Sequence, residues 1–86
     1  MRLVFTPLGW EDYCHWQDKD KSTLKRVNRL LEDVIRHPTE GIGKPEPLRH
    51  VLDGCWSRRI DEAHRLVYLV ENEDVVILQA RFHYRS

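Results

Sequence analysis

Apolar positions in the first half of the chain follow a helical period, and those in the second half alternate. Residues 2–6 (RLVFT) form a short edge of strand-like composition. Thr6 followed by Pro7 reads as a helix start, a hydroxyl cap and then proline at the first helical position. Trp10, Tyr13 and Trp16 lie three apart on roughly one helical face, and the core is where such a face belongs. Asp20 or Ser22 can cap a second helix. Its apolar positions Leu24, Val27, Leu31, Val34 and Ile35 keep the helical period, and Lys25, Arg26, Arg29, Glu32, Asp33 and Arg36 take the outer side. Pro38 ends it, because the residue before a proline avoids helical geometry.

Residues 38–47 (PTEGIGKPEP) are rich in Pro and Gly and predict an irregular loop. Asp53-Gly54 is a turn signal. Strand-like runs follow at 55–60, 65–71 and 75–82, joined by connections short enough for an antiparallel meander. In those runs the even positions are Trp56, Ile60, Leu66, Tyr68, Val70, Val76, Leu78, Ala80 and Phe82, an apolar face expected to pack on the helices. The odd positions include Ser57, Arg59, Arg65, Val67, Gln79, Arg81 and His83. Arg58 falls with the apolar face by parity and is therefore expected at a strand edge or in solvent. The fold class is α+β: an N-terminal strand, two helices, then an antiparallel sheet, in one domain over residues 1–86.

Composition narrows the function classes. The 14 Lys+Arg balance the 14 Asp+Glu, which argues against coating nucleic acid by bulk charge. The longest strongly apolar stretch, Val75 to Leu78, is far too short to span a bilayer, so no membrane partner is expected. The opening MRLVFTPLGWED carries no extended apolar region of the secretory kind, which makes the cytoplasm the expected compartment. Cys14 and Cys55 are read as small buried hydrophobes in a reducing environment. The five histidines form no HxxxH pair and the cysteines no CxxC pair, so neither a metal site nor a cofactor is expected. His15, His37 and His64 are read as structural or surface residues.

The candidate chemistry lies on the odd face. Arg59, Arg65, Arg81 and His83 make an anion site there, since the arginine fork matches phosphate oxygens and histidine exchanges protons near neutrality. The Pro/Gly loop adds Lys44, Glu46 and Arg49, and a carboxylate among those cations can serve as a base. Together the parts suit RNA cleavage without a metal. A base would take the proton of a ribose 2′-OH, arginines would hold the charge on the phosphoryl oxygens, and an acid would protonate the leaving 5′-oxygen. Solvated arginines and a surface histidine are the plainer alternative for the same residues.

The segments WEDYCHWQ, EGIGKPEPLRH, GCWSRRIDEAHRLVY and RFHY resemble the YoeB toxins of bacterial toxin–antitoxin systems, within the RelE-like superfamily of ribosome-dependent messenger RNA endonucleases. The resemblance spans the chain from the first strand to Tyr84. It implies Glu46 as general base, His83 as general acid and Arg65 as the arginine that stabilises the transition state. It implies phosphate contacts for Arg59 and Arg49 and substrate positioning for Tyr84, with Lys44 and Arg81 alongside as substrate-binding residues. Relatives often carry lysine where this chain has Arg49, which keeps the charge and changes the geometry. Two residues, Arg85 and Ser86, follow Tyr84 and bear on how freely it moves. The family further implies a YefM-type antitoxin, the ribosome and messenger RNA as partners, operator DNA only through the antitoxin complex, and homodimers in some settings. A non-enzymatic inhibitor on the same scaffold, like the ParE-type proteins that block DNA gyrase, is the competing reading, and a plain antitoxin- or RNA-binding module is a third. A pure binder has no need of Glu46, Arg65 and His83 together.

Overall fold

A computed structural model of the chain describes residues 1–49 and 53–84. In chain order the elements are β1 (Arg2–Phe5), α1 (Pro7–Lys19), α2 (Lys21–Arg36), β2 (Glu46–Pro47), β3 (Cys55–Arg59), β4 (Arg65–Glu71) and β5 (Asp74–Gln79). The helix boundaries follow from local chemistry. Thr6 caps α1 by accepting from the Gly9 N–H at 3.0 Å, with Pro7 in the first turn. Asp20 closes α1 and opens α2, accepting from the Thr23 N–H at 3.1 Å and the Thr23 hydroxyl at 2.8 Å. These bonds hold the Asp20 carboxyl below the usual carboxylate range. His37, ahead of Pro38, is the C-cap of α2.

The strands form one sheet in the order β1-β5-β4-β3-β2. β3, β4 and β5 make the expected antiparallel meander, and β1 joins its edge parallel to β5. Trp16, Val27, Leu30, Leu31 and Val34 from the helices pack against Ile60, Leu66, Tyr68, Val75, Ile77 and Ala80 from the sheet side. Cys55 is buried and Cys14 half-buried, and neither is in a disulfide among the described residues.

Four expectations are corrected. Trp10 is not core: it is 51% exposed and clusters with Phe5 and Tyr13 at ring-centroid distances of 5.5 and 5.8 Å. A three-residue step falls short of a helical turn, so over two steps Trp10 and Trp16 end about 120° apart. The even-position rule fails within β5, where Val75 and Ile77 face the core and Val76 and Leu78 are only half-buried. The cause is a register shift: Val67 pairs with Gln79 but Tyr68 pairs with Ile77, which leaves Leu78 as an extra residue and restores even parity at Ala80. The Pro/Gly loop is not wholly irregular, since Glu46 and Pro47 pair antiparallel with Ser57 and Trp56 as an edge strand, where a proline is tolerated. Finally, Arg58 lies neither at an edge nor in solvent; it is fully buried.

Candidate active site

Two arms deliver side chains to the end of the sheet. The first is the connection from α2 to β2, and Arg58 organises it. Its Nη1 donates to the Asp33 carboxylate and, at 3.1 Å, to the Ile42 carbonyl. Its Nη2 donates to the carbonyls of His37 and, at 2.7 Å, Glu40, and its Nε donates to the Tyr68 hydroxyl at 3.0 Å. Tyr68 passes the chain on to the Pro38 carbonyl at 2.7 Å. The Asp33 carboxylate also accepts the Ile42 N–H at 3.0 Å, and Arg59 donates its N–H to the Gly43 carbonyl at 2.7 Å. A buried guanidinium thus satisfies loop carbonyls that would otherwise be orphaned, and it makes the burial tolerable. The Arg58 contact holds the Asp33 carboxyl below its ordinary range, and burial pushes the Tyr68 hydroxyl up. Gly41 is required here, because its φ is +118° and a Cβ would sit 2.0 Å from the Asp33 carboxylate. The loop so fixed leads into Glu46.

The second arm is the tail after β5. Ala80 is held by α1, its N–H donated to the buried Asp12 carboxylate at 2.9 Å and its carbonyl accepting from the Trp16 indole at 2.8 Å. The Phe82 N–H donates to His64 Nδ1 at 2.8 Å, and the Phe82 carbonyl accepts from the Arg65 N–H at 2.9 Å. His64 sits between the rings of Trp16 and Phe82, with centroids 4.8 and 5.3 Å away, and is structural as expected. Phe82 adopts a left-handed φ of +60°, which bends the tail. His83 and Arg81 therefore leave the sheet: the strand ends at Gln79, not at residue 82, and the predicted row of four cations on one sheet face does not form.

What the two arms produce instead is a cleft lined by Glu46, Leu48, Ser57, Arg65, His83 and Tyr84. Of the residues singled out in the sequence, Glu46, Arg65, His83 and Tyr84 meet there. Arg59, Lys44, Arg49 and Arg81 lie outside that lining. Arg59 is exposed opposite Arg65 in the β3–β4 register, and Lys44 and Arg49 are exposed on the β2 arm. Arg81 carries its guanidinium 4.8 Å from the Phe82 ring centroid. Among the described residues, Nε of Arg65 and Nε of Arg81 are buried without a hydrogen-bond partner, and no ion pair engages Glu46, Arg65 or His83. Arg85 and Ser86, and with them any effect on Tyr84, lie outside the described residues. The described residues contain no cluster of three or more His, Cys, Asp or Glu able to hold a metal, and no helix long and apolar enough to cross a membrane.

Sequence reasoning missed the supports. Ser57, Leu48, Arg58, Gln79 and Asp12 all shape the site or its arms; alternation put Ser57 and Gln79 on the candidate face without a role, and Arg58 stood out only as a cation at an apolar position. The cleft combines a carboxylate, a planar donor fork and an imidazole, the three functions that proton transfer at a phosphodiester requires.

The fold is that of small bacterial toxins. Escherichia coli YafQ, in complex with DinJ, overlays with a TM-score of 0.70 at 20% identity over 96% of this chain and 94% of that one, a likeness of fold alone. A YoeB/ParE toxin from Agrobacterium tumefaciens overlays far better, with a TM-score of 0.93 at 43% identity over 98% of this chain and all of that one. The Toxin YoeB of Streptomyces coelicolor is 56% identical over 84 residues, 98% of this chain and 100% of that protein. The Staphylococcus aureus YoeB, solved with YefM, overlays with a TM-score of 0.86 at 41% identity over 98% of each chain, and the same toxin is also known as a dimer. The family of YoeB-like toxins of bacterial type II toxin–antitoxin systems matches residues 5–84. This chain belongs to that family.

Proposed function

We propose that this toxin is a ribosome-dependent endoribonuclease that cuts messenger RNA in the decoding site and so stops translation. The observation that carries the reading is the cleft where Glu46, Arg65, His83 and Tyr84 converge from two separately anchored arms. Glu46 takes the proton of the ribose 2′-OH. The 2′-oxygen attacks the adjacent phosphorus, and Arg65 holds the charge that builds on the phosphoryl oxygens. The bond from phosphorus to the 5′-oxygen breaks as His83 gives that oxygen a proton. Tyr84 positions the nucleotide, and Arg59, Arg49, Lys44 and Arg81 contact flanking phosphates from outside the cleft. Each proton step has its own side chain, so the reaction calls on no metal or cofactor.

The partners follow the relatives. A YefM-type antitoxin neutralises the toxin in the cytoplasm, the pair represses its own operon, and operator DNA is met only through the antitoxin. A homodimer is a further form of the free toxin. The overall charge is neutral, so docking on the ribosome relies on local patches such as the exposed Arg49, Arg59 and Lys44.

The test is single-turnover cleavage of ribosome-bound message by the purified toxin. The wild type cuts within the decoding site. Arg65→Ala slows cutting by about 10²-fold or more, the scale of one lost oxyanion donor. Growth arrest with intact messages and damaged DNA would return the chain to the gyrase-inhibitor class.

A further inference from the structure

Once β5 ends at Gln79, the tail leaves the regular strand ladder, and its backbone is held by individual contacts. Ala80 is tied to α1, and Phe82 to His64 and the Arg65 backbone. The residue that binds the backbone of His83 itself is Gln79. Its Nε2 donates to the carbonyl of Arg81 and to the carbonyl of His83, both at 2.9 Å. The residue is 1% exposed, so its amide is shielded from water and its bonds to the part-buried carbonyls are strengthened. Two carbonyls on one nitrogen require two N–H groups, which among neutral side chains of this reach means glutamine. The left-handed φ of Phe82 is what brings the carbonyls on either side of it to one donor.

We infer that Gln79 is a positioning residue for His83, locking the tail so that the imidazole stands where the leaving oxygen departs. The inference rests on the endoribonuclease reading above. General-acid transfer demands hydrogen-bond reach between donor and leaving atom, and a displacement of about 1 Å can cost on the order of 10²-fold in rate. His83 is exposed on a short tail, and its own side chain has no hydrogen bond to a described residue that would hold it. Its placement therefore depends on its backbone, and Gln79 is the side chain that grips that backbone.

The test compares two ribosome-bound messages, one natural and one with a single bridging 5′-sulfur at the scissile phosphate. A thiolate leaves without a proton, so the second message needs no general acid. Gln79→Met keeps the length and apolar bulk of the side chain and removes both N–H donors. The expected result is a loss of about 10²-fold in single-turnover rate on the natural message, little loss on the sulfur message, and an unchanged half-saturating concentration. His83→Gln should give the same pattern with a larger loss. Where Gln79→Met does not fold, Gln79→Asn keeps a buried amide drawn back by one methylene and serves in the same comparison. Wild-type cutting of the natural message by the Gln79 variant overturns its role, and so does an equal loss on both messages. Wild-type cutting by His83→Gln removes the acid itself, and that result strikes the underlying reading rather than Gln79 alone.

Discussion

Arg58 is buried in a domain of 86 residues, and its donors are spent on Asp33, Tyr68 and three loop carbonyls. Truncating it leaves the Asp33 carboxylate and those carbonyls short of donors, a kind of loss that costs on the order of 3 kcal/mol. Arg58→Ala should lower the denaturant midpoint accordingly, and Arg58→Lys should rescue little, because one ammonium cannot span partners that a planar fork reaches. The same contact sets a pH dependence. The folded-state value of Asp33 is lowered, chiefly by the Arg58 hydrogen bond. Its contribution is therefore full above the ordinary carboxylate value, about 3.9, and is lost as pH falls through the lower folded value. Urea unfolding of wild type and Asp33→Asn should differ near neutrality, and the difference should shrink as pH falls below the ordinary carboxylate value. None of this was legible in the sequence beyond the oddity of a cation at an apolar position. The partners of Arg58 are mostly backbone carbonyls and a carboxylate 25 residues away, and sequence periodicity does not report on either.

The helix α1 lies so close to β5 that a Cβ on Gly9 would come within 2.2 Å of the Ile77 carbonyl oxygen. Thr6 closes the same contact, its hydroxyl donating to the carbonyls of Ile77 and Leu78 at 3.1 and 3.2 Å. Gly9→Ala, which in an exposed helix would stabilise by about 1 kcal/mol, should here push the helix off the strand and lower the melting temperature. Each kcal/mol lost corresponds to about 4–8 °C for a domain of this size. Because α1 also holds Ala80 through Asp12 and Trp16, cleavage should fall with stability in that variant. The ends of both helices and the meander were readable from Thr6-Pro7, Asp20, Pro38 and alternation, since those signals act within a few residues. The extra residue at Leu78 was not, because a register shift depends on which residue of β4 faces which of β5. That shift is why Val75 and Ile77 are core while the parity rule placed Val76 and Leu78 there. The strand at Glu46–Pro47 was hidden for a similar reason, as its pairing partner Ser57–Trp56 lies beyond the turn.

Taken as a whole, the molecule is a rigid sheet with a cleft at one end, and its candidate acid and base arrive on irregular segments pinned by buried polar side chains. Alternation grouped Arg65 and His83 with Arg59 and Arg81 on one flat face, and the Pro/Gly loop added Glu46; the family resemblance added Tyr84 and singled out these four from their neighbours. Their convergence depends on Arg58, Asp12 and His64, whose contacts reach 18 to 68 residues along the chain, and on Gln79, whose bonds are local but follow no secondary-structure period. The central claim is that the nucleophile belongs to the RNA and the proton carriers belong to this chain. It is tested most directly by the ends of the cut message. Ribosome-bound message treated with the wild-type toxin should yield an upstream fragment ending in a 2′,3′-cyclic phosphate and a downstream fragment beginning with a 5′-hydroxyl. An upstream 3′-hydroxyl with a downstream 5′-phosphate would mean that water or another external nucleophile attacked, and would contradict the account.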